Sequence, residues 1–186
     1  SLTTASGGDS GNIVLAGDEA ANEIATLINT ASATSGNGVT ATATNVSYMS
    51  AVQANGTIGF TLASDDLADS GGSAAISAAV TTSDYSALVT QINANFSATG
   101  IIAEAVVMSA GDAGVKLTQV DGKDITIGTF VNSTGTGTIE VGKSATTASN
   151  TTVTEAAATD SARLMGAVSI SSSQGVITAV AALGST

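Results

Sequence analysis

Apolar side chains with helical spacing occur at two places in the chain. The first stripe follows the spacing i, i+3, i+4 and i+7 and consists of Ile24, Leu27, Ile28 and Ala31. The second stripe has the same kind of spacing and consists of Tyr85, Leu88, Val89, Ile92 and Phe96. Such a stripe is typical of an amphipathic helix that packs one face on another layer. The sequence therefore predicts helices over residues 20–32 and 84–97.

Polar residues and glycines mark the predicted ends of both helices. Asp18 is the predicted cap of the first helix, and Ser83 is the predicted N-cap of the second, with Asp84 close to the positive helix end. Gly36 and Gly100 follow the two helices. They are predicted to end them, because glycine readily adopts the left-handed conformation found after many helices.

After each helix the pattern changes to that of a strand. Residues 39–46, "VTATATNV", alternate in the way that suits a strand with one buried face, and "IIAEAVVM" (101–108) follows the second helix. Further strands are predicted at 12–16, 57–63, 114–120, 124–130, 137–142 and 166–181. The last of these is predicted to be a hairpin that turns around Ser172 to Gly175.

Turn signals and one weakly patterned segment complete the prediction. Asn37-Gly38, Asn55-Gly56 and Asp121-Gly122 are typical of type I′ turns, in which both central residues have positive φ. Residues 142–162 have the weakest periodicity, which predicts a long loop or a short helix around 155–163.

The two predicted helices belong to a repeated unit. A shift of 64 positions places Ile28-Asn29 on Ile92-Asn93, Gly36 on Gly100 and Ala41 on Ala105. The predicted fold class is therefore α+β and sheet-rich, with two repeated strand-helix-strand units plus C-terminal strands in two small subdomains. The predicted division places the first unit in residues 1–56, the second in 57–130, and the C-terminal strands and loop in 131–186.

Composition narrows the possible partners. Four Lys and Arg against fifteen Asp and Glu give a formal net charge of -11, which opposes binding to nucleic acid and to anionic lipid surfaces. Cysteine is absent, so disulfides and thiolate metal sites are excluded. No apolar run has the length of a membrane span. The first residues lack the pattern of a signal peptide, which predicts export by another route or an excised fragment.

No residue pattern favours catalysis. The segment "GGDSGN" (7–12) is similar to the nucleophile segment of chymotrypsin-like proteases, but the chain has no His to activate Ser10. The lysines that could act as a base instead, Lys116, Lys123 and Lys143, lie in no recognisable partner motif. We therefore interpret the serine as part of a flexible loop and predict that the chain is not an enzyme.

Acidic residues offer the other candidate chemistry. Asp65-Asp66 and the pair Asp121 and Asp124 are candidates for acid/base work, but both lie in turn-like sequence without an aromatic platform for a sugar. Asp112 joins Asp121 and Asp124 as a possible calcium ligand, although the spacing matches no known calcium loop. The "SGG" at 70–72 lacks the Lys of a phosphate-binding loop. The sequence predicts no catalytic, cofactor-binding or metal-binding residue and no cofactor.

The repeated unit resembles the "IN" motif of bacterial flagellins and of some flagellar hook-associated proteins. The residues that carry the resemblance are "LINTASATSGNGVTATA" (27–43) and "QINANFSATGIIAEAVV" (91–107). The ending "GAVSISSSQGV" (166–176) is similar to the strand pair that often closes the variable central region of flagellin. The long terminal helices through which flagellins assemble have no counterpart here, so the chain resembles an excised outer portion.

The resemblance implies a structural role outside the cell. It implies an outer domain that projects from the flagellar filament and contributes an antigenic surface to the motility organelle, with other filament subunits as partners of the full-length protein. It also implies possible O-linked glycans, which we expect on Ser and Thr of an exposed loop at 144–161. The isolated chain is expected to be a monomer.

Two other functions remain open from the sequence. One is a module of a flagellar hook-associated or cap protein. The other is a glycan-binding adhesin or surface-layer repeat, which needs an exposed aromatic side chain near amides or carboxylates. Tyr48 and Tyr85 are the only tyrosines and no Trp occurs, and Tyr85 lies on the apolar stripe and is predicted to be core.

Overall fold

In the part of the chain that the structure describes, the secondary structure consists of antiparallel sheets and three helices. A computed structural model describes residues 2–4, 13–15, 17–50, 52–65, 72–109, 111–135, 137–145, 150–155 and 160–179. The helices are α1 (Ala21–Ser35), α2 (Ser86–Ala94) and α3 (Phe96–Thr99). The strands are β1 (Leu2–Thr4), β2 (Val39–Ser50), β3 (Gly56–Asp65), β4 (Ser73–Val80), β5 (Ile101–Val107), β6 (Ala113–Gln119), β7 (Asp124–Asn132), β8 (Thr138–Gly142), β9 (Thr151–Thr154), β10 (Ala162–Leu164), β11 (Ala167–Ser172) and β12 (Ile177–Ala179). The sheet-rich α+β class predicted from the sequence is confirmed.

The N-cap residues of α1 and α2 differ from those that the sequence predicts. The N-cap of α1 is Ala20, whose N–H donates to Glu23 Oε2 at 2.9 Å, so the predicted cap Asp18 is wrong. The Glu23 carboxylate, in the first turn of the helix, thus accepts the backbone N–H of the N-cap residue itself. The N-cap of α2 is Tyr85 and not Ser83. Asp84 Oδ1 instead accepts the Ser86 N–H at 2.8 Å.

Both helical segments end at a left-handed glycine, as predicted. Gly36 has φ 66° and Gly100 has φ 65°. The second segment breaks once before this point, because α2 ends at Ala94 and α3 begins at Phe96 after a turn at Asn95. After this break Phe96 is 45% exposed, so it does not belong to the buried stripe.

Strand β2 organises the larger sheet. The order in this six-stranded sheet is β5-β6-β2-β8-β9, and β11 also pairs with β2. Residues 39–44 of β2 pair with β11, whereas residues 45–50 pair with β6. The second sheet has the order β10-β7-β3-β4, and β1 pairs with β12. One strand of 12 residues therefore connects two differently paired halves of the larger sheet.

The described buried side chains form two apolar clusters. The main cluster takes side chains from both sheets and from α2, and its largest members include Phe130, Met49, Leu88, Ile92 and Leu117. The small cluster lies under α1 and consists of Ala25, Ile28, Val39 and Ala41, with partly buried neighbours that include Val168 and Ile177. The two repeated helices thus pack on different cores.

Several strand predictions are wrong. Residues 13–15 of the predicted strand 12–16 are irregular, and Asn12 lies outside the described residues. The predicted hairpin over 166–181 does not form, because β11 pairs with β2 and β12 pairs with β1. Strand β4 was not predicted. Its alternation uses Ser and Ala on the outer face and so gives little contrast in hydropathy.

The weakly patterned segment contains strands. Strand β9 pairs with β8, and Val153 is fully buried, so the exposed loop predicted over 144–161 is wrong at these residues. The alternative helix around 155–163 is wrong at its end, where β10 begins at Ala162, and residues 156–159 lie outside the described part. A single buried valine between threonines can anchor a strand without producing a periodic pattern.

None of the three predicted type I′ turns forms. Gly38 and Gly122 have positive φ, but Asn37 and Asp121 do not, and Gly56 lies inside β3 without positive φ. The division at 56/57 and 130/131 stays a prediction. Strands from all three predicted segments meet in the larger sheet, where β2 pairs with β6 and with β8.

Candidate functional site

The Ile-Asn pair of each repeat has the same geometry in the structure. Asn29 Nδ2 donates to the Ala41 carbonyl at 2.9 Å, and Asn29 Oδ1 accepts the Ala41 N–H at 2.8 Å. Asn93 makes the same two bonds with Ala103, also at 2.9 and 2.8 Å. The adjacent isoleucines, Ile28 and Ile92, are both buried. Each helix is thus fixed to the strand that follows it by one apolar and one polar anchor.

The asparagine amide takes the place of a neighbouring strand. A residue at a sheet edge exposes one N–H and one C=O on the same side, and the side-chain amide offers the complementary acceptor and donor. In the second unit this strand is β5, which lies at the end of the larger sheet. Unpaired edges attract other chains, so we interpret the Asn as protection of this edge.

The two units differ in the length of the connection. Ala41 and Ala103 are equivalent by their bonds to the asparagines, which corresponds to a shift of 62 and not 64. The predicted match of Ala41 with Ala105 is therefore wrong. The first unit has two extra residues, Asn37 and Gly38, between its terminal glycine and the strand. Asn37 is fully buried there, and its Oδ1 accepts the Val39 N–H at 3.1 Å.

A second group of polar side chains lies in the middle of β2. We call Asn45, Ser47, Asp124, Lys143 and Arg163 the polar cluster. Asn45 and Ser47 are fully buried, because odd-numbered residues of β2 face the interior. Asn45 Nδ2 donates to two backbone carbonyls, those of Leu164 at 2.6 Å and Lys123 at 2.9 Å. Ser47 Oγ donates to Asn45 Oδ1 at 2.9 Å.

Lys143 extends its amine into this group. Its Nζ donates to Asn45 Oδ1, and it also contacts Ser47 Oγ and the Val46 carbonyl at 3.1 Å each. Lys143 follows the last residue of β8, next to β2 in the sheet, so a long side chain reaches across the strand pair. Burial lowers the pKa of the Lys143 amine below its usual value, while the charge of Asp124 acts in the opposite direction.

Asp124 and Arg163 form an ion pair in the same cluster. Arg163 Nε lies 2.6 Å from Asp124 Oδ2, and the Gly166 N–H donates to Asp124 Oδ1 at 3.1 Å. The Asp124 side chain is only 1% exposed, whereas that of Arg163 is 44% exposed. A shallow cavity of about 470 Å³ adjoins the pair and is lined by Lys143 and Arg163 among others. Both bonds hold the carboxylate in a structural role between β7 and the start of β11.

The structure separates the candidate acids predicted from the sequence. Asp121 and Asp112 are exposed, whereas Asp124 is buried and paired. In the described residues, no three His, Cys, Asp or Glu side chains come close enough to hold a metal ion. Asp65 pairs with Asp124 along the β3–β7 ladder, and Asp66 lies outside the described residues.

The other predicted candidates lie apart from one another. Ser10 and most of "SGG" 70–72 are outside the described residues. Lys116 pairs with Glu104 across β5 and β6 at 2.8 Å. The Lys123 carbonyl accepts from Asn45 Nδ2. The three lysines therefore share no common site in the described part of the chain.

The two tyrosines differ in burial, and Tyr85 lies in the core as the sequence predicts. Tyr85 is buried in the main core, and its Oη accepts the Val52 N–H at 3.0 Å. Burial raises the pKa of Tyr85, the Val52 hydrogen bond acts in the opposite direction, and Asp112 adds to the increase. Tyr48 is partly buried on the other face of β2, beside Lys116 in the register.

The comparisons with known proteins give no identity. No protein-family model matches the chain, and no curated protein matches it. The resemblance to flagellins therefore rests on the quoted repeat and stays a prediction. Among the described residues, the helices are too short or too polar to cross a membrane.

Sequence reasoning missed the polar cluster. No motif in the sequence marks Asn45, Ser47 or Arg163, and Lys143 and Asp124 are candidates for other chemistry. One signal was available: Asn45 and Ser47 occupy the inward positions of an alternating strand, where apolar residues are expected. Polar residues at such positions need partners from elsewhere in the fold.

Proposed function

We propose that the chain is a structural module of the outer part of a flagellar filament subunit. The observation that carries this proposal is the repeated Ile-Asn unit, with Asn29 on Ala41 and Asn93 on Ala103 in the same geometry. A side chain that hydrogen-bonds the backbone of an edge strand stabilises the fold and takes part in no reaction. The repeat thus supports a scaffold that is extended by duplication.

The state of the ionic groups supports the same proposal. Asp124 is bound to Arg163, Lys116 is bound to Glu104, and Lys143 is bound to Asn45. Catalytic acids and bases usually face a cleft that admits a substrate. The described carboxylates either lie on the surface or are held in structural pairs, so we propose no enzymatic activity.

The formal charge of -11 also suits a surface exposed to solvent, because like charge opposes uncontrolled association. We expect the isolated chain to sediment as a monomer. Other subunits would be its partners in the full-length protein. Exposed hydroxyls for O-linked glycans are present on one face of β2 and β11, at Thr40, Thr42, Thr44, Ser169 and Ser171.

Immunogold labelling tests the location. Antibodies raised against the purified chain would be applied to intact cells of the source bacterium, with preimmune serum and a strain deleted for the gene as controls. Labelling along the whole filament is the expected result.

The alternatives predict other patterns. Label confined to the hook junction or the filament tip would favour a hook-associated or cap protein. Label on the cell body, retained in cells without flagella, would favour a surface-layer or adhesin module and would overturn the proposal.

A further inference from the structure

We infer that Lys143 and Asn45 form an intramolecular isopeptide bond, a covalent amide between the two side chains that joins β2 to the end of β8. This inference does not depend on the proposed function. It rests on the contacts within the polar cluster, where an amine, a buried carboxamide and a hydroxyl lie together.

The two reacting groups are already in contact. Lys143 Nζ lies against Asn45 Oδ1, so the nitrogen is next to the carbonyl group that it would attack. The Asn45 side chain is fixed, because its Nδ2 donates to the Leu164 and Lys123 carbonyls. A reactant held in one orientation needs little further ordering to reach the transition state.

Ser47 is placed to carry the proton. Its Oγ accepts from Lys143 Nζ at 3.1 Å and donates to Asn45 Oδ1 at 2.9 Å. The hydroxyl therefore links the group that must lose a proton with the oxygen that gains one. It also polarises the carbonyl, as a donor to a developing oxyanion does.

The reaction balances without any further reagent. The amine first releases one proton to solvent, and the neutral Nζ then attacks Asn45 Cγ. Its second proton passes through Ser47 Oγ to Oδ1, which gives a tetrahedral intermediate. The C–Nδ2 bond breaks as the carbonyl re-forms, the Oδ1 proton returns to Nδ2, and ammonia leaves. One C–N bond forms, one C–N bond breaks, and nothing is oxidised.

The surroundings favour the neutral amine. Asn45 and Ser47 are fully buried, and burial lowers the pKa of Lys143. Arg163 Nε lies 2.6 Å from Asp124 Oδ2, so the negative charge in the cluster is already paired with a cation other than Lys143. Lys143 as a whole residue is exposed, but its Nζ contacts the fully buried Asn45 and Ser47, and this partial desolvation of the amine increases the neutral, nucleophilic fraction.

The link would close a long loop. The two residues are 98 positions apart, so the bond would restrict the unfolded chain in the way that a disulfide does. A chain without cysteine has no other common covalent staple.

Mass spectrometry of the full chain tests the inference directly. The expected intact mass is lower than that of the sequence by one ammonia. After denaturation and trypsin digestion, the peptide that ends at Lys116 should be joined to one that runs from Asp124 to Arg163, uncut after Lys143. A fully unmodified mass after prolonged incubation of the folded protein would overturn the inference.

Three variants identify the groups involved. Lys143→Arg keeps the positive charge but removes the nucleophile, so the ammonia loss and the joined peptides should both disappear. Its melting temperature should fall by roughly 10 °C. Lys116→Arg is the matched control, because this lysine pairs with Glu104 on another face, and it should retain the bond. Ser47→Ala keeps both reactants and should form the bond more slowly.

Peptide mapping also separates a competing reaction. Asn-Gly sequences such as Asn37-Gly38 and Asn55-Gly56 can lose ammonia by forming a cyclic imide. That product would also lower the mass of Lys143→Arg by one ammonia relative to the sequence of this variant, and it would leave all tryptic peptides separate. Ammonia loss of this kind alone, without the joined peptides, contradicts the isopeptide bond.

Discussion

At the scale of single residues, the repeated asparagine has a physical explanation. Its carboxamide carries one acceptor and two donors, which is the complement of a strand residue at an open edge. Asn29 and Asn93 use both functions on one alanine each. A carboxylate could not do this, because it lacks the donor. The pairing explains why the repeat retains Asn after the buried isoleucine.

Removing this amide should cost similar stability in both units. We expect Asn29→Ala and Asn93→Ala to lower the free energy of unfolding by about 1–3 kcal/mol each, because a backbone N–H and C=O lose their partners. Asn95→Ala is a suitable control, since its side chain donates only to the nearby Gln91 carbonyl, and it should cost about 0.5 kcal/mol or less. Urea unfolding measures all three. Equal effects of the three substitutions would contradict the edge interpretation.

Tyr85 predicts an alkaline dependence of stability. Burial raises its pKa, so the folded state prefers the neutral phenol. This contribution is fully present below the pKa of the unfolded chain, about 10, and is lost as pH rises through the folded pKa. We expect wild-type stability to decline above about pH 10 and the decline to be shallower in Tyr85→Phe. Thermal unfolding at a series of pH values measures it.

At neutral pH, Tyr85→Phe is expected to be less stable than the wild type. Tyr85→Phe leaves the Val52 N–H without its partner, which should cost about 1–3 kcal/mol at pH 7. Parallel curves for the two proteins across the alkaline range would show that Tyr85 does not titrate with unfolding.

At the scale of elements, the helix-strand units were predictable because their signals are local. The apolar stripe, Gly36 and Gly100 lie within a few residues of the structures they specify. The wrong predictions concern distant partners instead: the missed strand β10 is three residues long and pairs with β7, and β11, predicted as a strand, pairs with β2 rather than with β12. Sequence spacing carries no information on which of two edges a short strand will join.

The polar cluster was beyond prediction for the same reason. Asn45, Asp124, Lys143 and Arg163 come from four different strands or strand ends, and no motif relates their spacing. Only the polar residues at inward positions of β2 pointed to it. The sequence could therefore have indicated that Asn45 needs partners, but it could not have named Lys143 as one of them.

The two isoleucines of the repeat should differ in cost although their local setting is the same. Ile92 is fully buried in the main core, whereas Ile28 is 5% exposed and belongs to the small cluster under α1. We expect Ile92→Ala to lower the free energy of unfolding by about 3–5 kcal/mol and Ile28→Ala by about 2–3 kcal/mol, because a small cluster relaxes around a cavity more easily. Chemical unfolding measures both, and a larger loss for Ile28→Ala would contradict the two-core description.

At the scale of the whole molecule, the positions of the basic residues are related to the sheets. The chain has few basic residues, and the structure places each of them in or next to paired strands. Lys116 lies in the middle of β6, Arg163 lies in β10, Lys123 lies between β6 and β7, and Lys143 follows β8. A surface of this kind offers many acidic and hydroxyl groups to solvent and few sites for enzymes that cut after basic residues.

Trypsin should therefore cut the folded chain slowly. The protease needs several extended and unpaired residues around its target. Lys116 and Arg163 lie within paired strands, and Lys123 and Lys143, which lie outside strands, are both held by contacts with Asn45 of β2. We expect cleavage to follow transient opening and to speed up in moderate urea, at concentrations that raise the opened population. Digestion of the native chain, followed by gel electrophoresis and mass spectrometry, measures the rate and the first site. Prompt cleavage after Lys143 without urea would contradict both the packing of this residue against β2 and its bond to Asn45, because a lysine in an amide link is not a substrate.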